Sequence, residues 1–215
     1  KMKFLESKKK YINFGKIGIV EVDPVENIDL SWVFSELFKF VPNSFVDGLV
    51  GIYFGDFPEL KERKIKSYLS DNVIVISNNL KSEKELIKIL VHELAHNIER
   101  NNKEDLYSNK EILKEFLSKR RVLADRLKLN GVKSIPRAFI ENPDFLDEID
   151  HWLMDVVGYD RLNLSITSLF PDVYSVTSVR EYFACCFEIF FLENKKEVET
   201  MAPAVYNAIS DLVRE

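Results

Sequence analysis

The sequence predicts an α+β fold, with a small mixed sheet and one long helix in an N-terminal lobe (about 1–102) and helices in a C-terminal lobe (about 103–215). Two patterns carry this prediction. Short apolar, β-branched runs lie between residues 17 and 77, whereas after residue 100 the apolar residues recur at helical spacing. No internal repeat or long linker separates the lobes, and 215 residues are enough to bury a substantial core, so a single domain is expected.

Ile17 to Val22 is the first expected strand, apolar and rich in β-branched residues. Leu30 to Val41 carries Trp32, Val33, Leu37 and Phe40 at helical spacing and has to end before Pro42. Gly48 to Phe57, bounded by glycine and proline, is the second strand, and Asn72 to Ser77 is the third and clearest. Ser82-Glu83-Lys84-Glu85 then reads as a capping box. Behind it Leu86, Ile87, Leu90, Leu94 and Ile98 form the buried stripe of a helix over 83–100, uninterrupted by glycine or proline. Four more helices are expected: Asn109 to Leu129, closed by Asn130-Gly131; Asp147 to Val157; Thr177 to Glu193; and Pro203 to Arg214, with proline in the first turn.

Composition excludes several classes. Thirty basic and 35 acidic residues are interspersed, for a net charge of −5, and no basic block is joined to stacking aromatics, so a nucleic-acid partner is not expected. Lys8-Lys9-Lys10 reads as a solvated run. The longest apolar stretch, Phe183 to Leu192, is broken by Glu188 and is too short to span a bilayer, so no membrane span is expected. No charged-then-apolar leader opens the sequence, and no secretion signal is expected. Cys185 and Cys186 are adjacent and cannot staple distant segments. Nothing in the composition indicates a compartment.

The chemistry concentrates in His92-Glu93-Leu94-Ala95-His96, which holds two of the three histidines. On a helix, residues four apart share a face, so both imidazoles can address one ion. Glu93 falls on the same turn, beside that ion, where it can take a proton from a metal-activated water. Strand, short turn and metal-binding helix is the element order of zincin proteases. In that fold an edge strand pairs with an extended substrate, and Asn72 to Ser77, or the segment just before it, is the candidate edge.

Catalytic zinc sites use a third protein ligand and keep one position open. Asn97-Ile98-Glu99-Arg100-Asn101-Asn102 follows the motif and lacks the glycine and histidine of metzincins. Glu99 reads as a structural surface residue, and His151, beside Trp152, as a packed or hydrogen-bonded side chain. Glu181 is the better ligand candidate, in the first turn of a helix with aromatic flanks. Ser178-x-x-Glu181 is also a capping-box pattern, and the residues alone leave cap and ligand both open. A His/His/Glu set takes zinc by default, one ion per chain, and can accept manganese or cobalt in vitro.

Downstream of the motif, Tyr174 is followed after six residues by Glu181-Tyr182-Phe183-Ala184, with Phe187 three positions on. Together with H-E-x-x-H, this pattern resembles the anthrax lethal factor catalytic domain family and is shared by the clostridial Pro-Pro endopeptidases. The resemblance implies a zincin-like fold and a zinc metalloendopeptidase acting on a protein or peptide substrate. It implies that His92, His96 and Glu181 bind the metal, that Glu93 is the general base, and that Tyr174 stabilises the oxyanion. It covers two short patches, and the first eighty residues contribute nothing to it.

This chain departs from that pattern at Cys185, where the family usually has a second glutamate, and in a longer interval between His96 and Glu181. The helix 109–129 is expected to fill that interval as an insertion with a solvated, mixed-charge face. Phe183, Phe187, Phe190 and Phe191 read as core, and the two cysteines as small buried residues. The competing expectation is a zincin-shaped binding or structural module of a larger assembly, with weak or no activity.

Overall fold

In the strand Val73–Ser77, Ile74 and Ile76 are fully buried while Val73, Val75 and Ser77 are half-buried, an alternation that sets one sheet face against a core. The computed structural model describes residues 10–214, in one unit that ends at Asn101 and a second that begins at Asn102. The chain is α+β, 59% helical, with a mixed five-stranded sheet.

The sheet belongs to the first unit and comprises β1 (Lys10–Phe14), β2 (Ile17–Glu21), β3 (Gly51–Gly55), β4 (Ser67–Ser70) and β5 (Val73–Ser77), in the order β1-β2-β3-β5-β4. The central β2, β3 and β5 are parallel, and the outer β1 and β4 run antiparallel to their neighbours. Helix α1 (Leu30–Leu37) connects β2 to β3, and the short α2 (Pro58–Glu62) precedes β4. Helix α3 (Glu83–Asn101) packs on β4, on α1 and on a 3-10 turn at Asn43–Val46. Val33, Phe34, Phe54, Leu86 and Leu90 join Ile74 and Ile76 in its core with no exposed surface.

Several boundaries differ from the sequence reading. Asn72 to Ser77 is not the edge: β5 lies between β3 and β4, and the segment just before it forms the edge strand. The second expected strand is shorter at both ends, Gly51–Gly55, and Phe57 caps α2, which Pro58 opens in a first-turn position. Helix α1 stops at Leu37, four residues before Val41. Lys10 is the first residue of β1 and is exposed, as expected, with its ammonium 3.3 Å from the Glu21 carboxylate; Lys8 and Lys9 lie outside the described residues.

The second unit is helical: α4 (Lys103–Ser108), α5 (Glu111–Leu129), α6 (Arg137–Glu141), α7 (Asp147–His151), α8 (Tyr159–Ile166), α9 (Val179–Leu192), α10 (Lys195–Met201) and α11 (Pro203–Arg214). Helix α7 runs on into a π-helical stretch, Trp152–Val157, and a 3-10 turn, Tyr174–Val176, leads into α9. Lys110, left-handed at φ 60°, separates α4 from α5, so the expected helix begins two residues late. Its far end is a Schellman motif, in which Gly131 at φ 87° donates to the Lys128 carbonyl and Val132 donates to that of Leu127.

The charged face of α5 is not merely solvated. Glu115 accepts from the Tyr182 hydroxyl and the Ala204 amide, Lys119 donates to the Leu169 and Met201 carbonyls, and Arg120 is fully buried. This helix is central to the core of its unit, with Ile112, Phe116, Leu123 and Leu127 buried along one side. Among the described residues, no helix is long and apolar enough to cross a membrane.

Candidate metal centre

Helix α3 is held at both ends. Ser82 Oγ accepts from the Glu85 amide at 3.2 Å, and the Glu85 carboxylate accepts from the Lys81 amide, one residue before the usual capping-box donor. At the other end the buried Asn97 donates through Nδ2 to the carbonyls of Phe45 and Asp47, at 3.0 and 3.1 Å. Asn101 Nδ2 donates to the same Asp47 carbonyl at 3.0 Å, and Gly48 lets it approach, since a Cβ there would stand 3.3 Å from that nitrogen. With Leu86, Leu90 and Leu94 buried, these contacts fix the rotation of the helix about its axis.

On that helix the imidazoles of His92 and His96 meet edge to face, with ring centroids 4.6 Å apart and planes at 89°. His92 is half-buried and His96 is buried. Glu93 is only 3% exposed: its Oε1 accepts from Ser67 Oγ at 2.6 Å, and its Oε2 is buried with no hydrogen-bond partner among the described residues. An unsatisfied buried carboxylate oxygen is costly and calls for a ligand or water. Two adjacent imidazoles on one helix, with a carboxylate one residue after the first, are donors of the kind that fit a divalent metal. Glu99, expected at the surface, is 7% exposed; it occupies the inward-facing side of the last turn with Ile98.

In the second unit, Tyr174 opens the 3-10 turn and is 48% exposed. Its carbonyl accepts from the amide and the hydroxyl of Thr177, at 3.0 and 2.8 Å, and Asp172 ties the turn from the other side by accepting from the Ser175 amide and hydroxyl. Ser178 is the N-cap of α9, its Oγ accepting from the Glu181 amide at 3.1 Å. Glu181 is thus half-buried in a first turn, where the helix dipole favours a carboxylate.

His151 is exposed, with Nδ1 2.7 Å from the carbonyl of Asp147 in its own helix. That hydrogen bond and the nearby Asp155 and Asp150 raise its pKa. Phe183, Phe187 and Phe190 are buried and Phe191 is half-buried, and Cys185 and Cys186 are buried thiols whose pKa burial pushes up. The structure thus brings His92, Glu93 and His96 together within the first unit, and Tyr174 and Glu181 onto one turn-and-helix segment within the second.

Two residues escaped the sequence reading. Ser67 stands opposite Ile76 on the buried face of the sheet, in a four-residue strand too short to show alternation. Arg120 does carry a signal, because it interrupts the apolar series Ile112, Phe116, Leu123, Leu127 where a hydrophobic residue is expected. Compared with family models, with curated proteins and with solved structures, the chain matches none.

Proposed function

We propose that this chain is a zinc-dependent metalloendopeptidase with a zincin-like fold. The observation that carries the reading is the pairing of His92 and His96 on one face of α3, with the buried Glu93 between them in sequence and one of its oxygens unclaimed. Zinc, when bound, supplies a Lewis acid that polarises a peptide carbonyl and makes water acidic enough to lose a proton near neutral pH.

His92 and His96 hold the ion through ring nitrogens, and Glu181 is the proposed third ligand, completing a His/His/Glu set. Glu93 accepts the proton of the attacking water at Oε2 and returns it to the leaving amine nitrogen. The Tyr174 hydroxyl donates to the substrate carbonyl oxygen as negative charge builds there. The outer edge of β4 receives the substrate as an added strand, because among the described residues its second row of backbone donors and acceptors faces no other strand of the sheet. A Glu93→Gln protein that binds zinc and no longer cleaves a peptide library supports this mechanism; one that still cleaves ends it.

A specific observation favours a second reading, a zincin-shaped module without turnover. Cys185 is a buried thiol where the resembled pattern carries a carboxylate, so any orienting contact made by that carboxylate is missing. Zinc binding with no cleavage by the unaltered chain, recovered in stoichiometric complex with another protein, would select this reading.

A further inference from the structure

We infer that Ser67 is the positioning residue of the general base, an inference that rests on the peptidase reading. Ser67 pairs with Ile76 in the β4–β5 ladder, and directly opposite residues project from the same face. Ile76 is fully buried on that face and α3 packs against β4, so an apolar side chain is the expected occupant of position 67. A serine stands there instead, and its hydroxyl donates to Glu93 Oε1 at 2.6 Å.

The two oxygens of Glu93 therefore differ. Oε1 is anchored to the edge strand, and Oε2 is buried with no hydrogen-bond partner among the described residues. A glutamate has three side-chain torsions, and a base that samples several rotamers spends little time where a proton can reach it. The Ser67 bond selects one orientation and leaves the second oxygen open for the proton. Because Ser67 belongs to β4, the strand proposed to receive substrate, the base is registered to the scissile bond by a single hydrogen bond rather than by loop packing.

The test compares the full chain with Ser67→Ala and Ser67→Thr. Metal-free protein gives the first readout: Ser67→Ala is expected to lower the urea midpoint in the unaltered chain and to have little effect in a Glu93→Ala background, since the coupling needs both groups. With zinc supplied, zinc stoichiometry is expected to hold in both Ser67 variants, because the Ser67 hydroxyl bonds to the base, which is not a proposed metal ligand. On a fluorogenic peptide drawn from a library, Ser67→Ala is expected to lower kcat about 10- to 100-fold with KM nearly unchanged, and Ser67→Thr to restore most of it.

A kcat for Ser67→Ala within twofold of the unaltered chain overturns the inference and leaves the peptidase reading standing. A loss confined to KM, or equal losses in the alanine and threonine variants, also overturns it. An unaltered chain that binds zinc and cleaves nothing in the library removes the peptidase reading, and the role of Ser67 with it.

Discussion

Arg120 donates from both Nε and Nη2 to the carbonyl of Val176, at 2.9 and 2.7 Å, midway between Tyr174 and Ser178. Its remaining donors reach the carbonyls of Thr177, Phe139 and Asn142, and its guanidinium lies over the rings of Phe116 and Phe139. A fully buried cation is thus solvated by main-chain oxygens, and in return it fixes the turn that presents Tyr174 and starts the helix of Glu181.

Replacing Arg120 with methionine is expected to cost about 3 kcal/mol or more, because several buried carbonyls lose their donor at once. Lysine keeps the charge and loses the planar fork, so Arg120→Lys is expected to recover only part of the loss. Urea unfolding checks both, and a methionine variant as stable as the unaltered chain would show that Arg120 does not clamp the turn.

Asn97 offers an independent check on the anchoring of α3. Asn97→Ala leaves the Phe45 and Asp47 carbonyls with fewer donors, at an expected cost of about 1–3 kcal/mol. Denaturant unfolding reads this directly. No change would mean that the Asn97 hydrogen bonds do not hold α3.

Helix α3 was legible because signals agree along its length: a serine cap, an unbroken Leu/Ile stripe and the histidine pair. Gly131 marked the end of α5 equally well, since a left-handed Schellman position favours glycine. The start of α5 was hidden because Lys110 takes the same backbone conformation without a glycine to announce it. Strand β4 was expected only as an unbounded segment before Asn72, for a different reason. Ser67-Tyr68-Leu69-Ser70 is four residues long, and its identity as a strand comes from its ladder with β5 rather than from its own pattern. The Ser67–Glu93 contact spans 26 residues between a strand and a helix, so neither local sequence contains it.

His151 is expected to titrate above 6.5, the usual histidine value, because the hydrogen bond to the Asp147 carbonyl and the neighbouring acids favour the imidazolium. The folded value lies above the unfolded one, so its stabilising contribution is complete below the unfolded pKa and is lost as pH rises through the folded pKa. An NMR titration of the imidazole protons checks this, and a midpoint below 6.5 contradicts it. His151→Ala is also expected to leave zinc content unchanged.

Glu93→Gln is nearly isosteric and keeps an acceptor for Ser67, yet it removes the basic oxygen. Zinc stoichiometry is expected to persist while kcat falls about 10²- to 10⁴-fold, the usual contribution of a general base. Equal turnover by the two proteins would assign proton transfer to another group.

Elemental analysis of zinc in matched preparations of the unaltered chain and Glu181→Ala addresses the metal centre itself. One zinc per chain in the first, lost or much weakened in the second, is the expected result and establishes His92, His96 and Glu181 as the ligand set. Equal stoichiometric zinc in both proteins, or none in the unaltered chain after zinc is supplied, would contradict it.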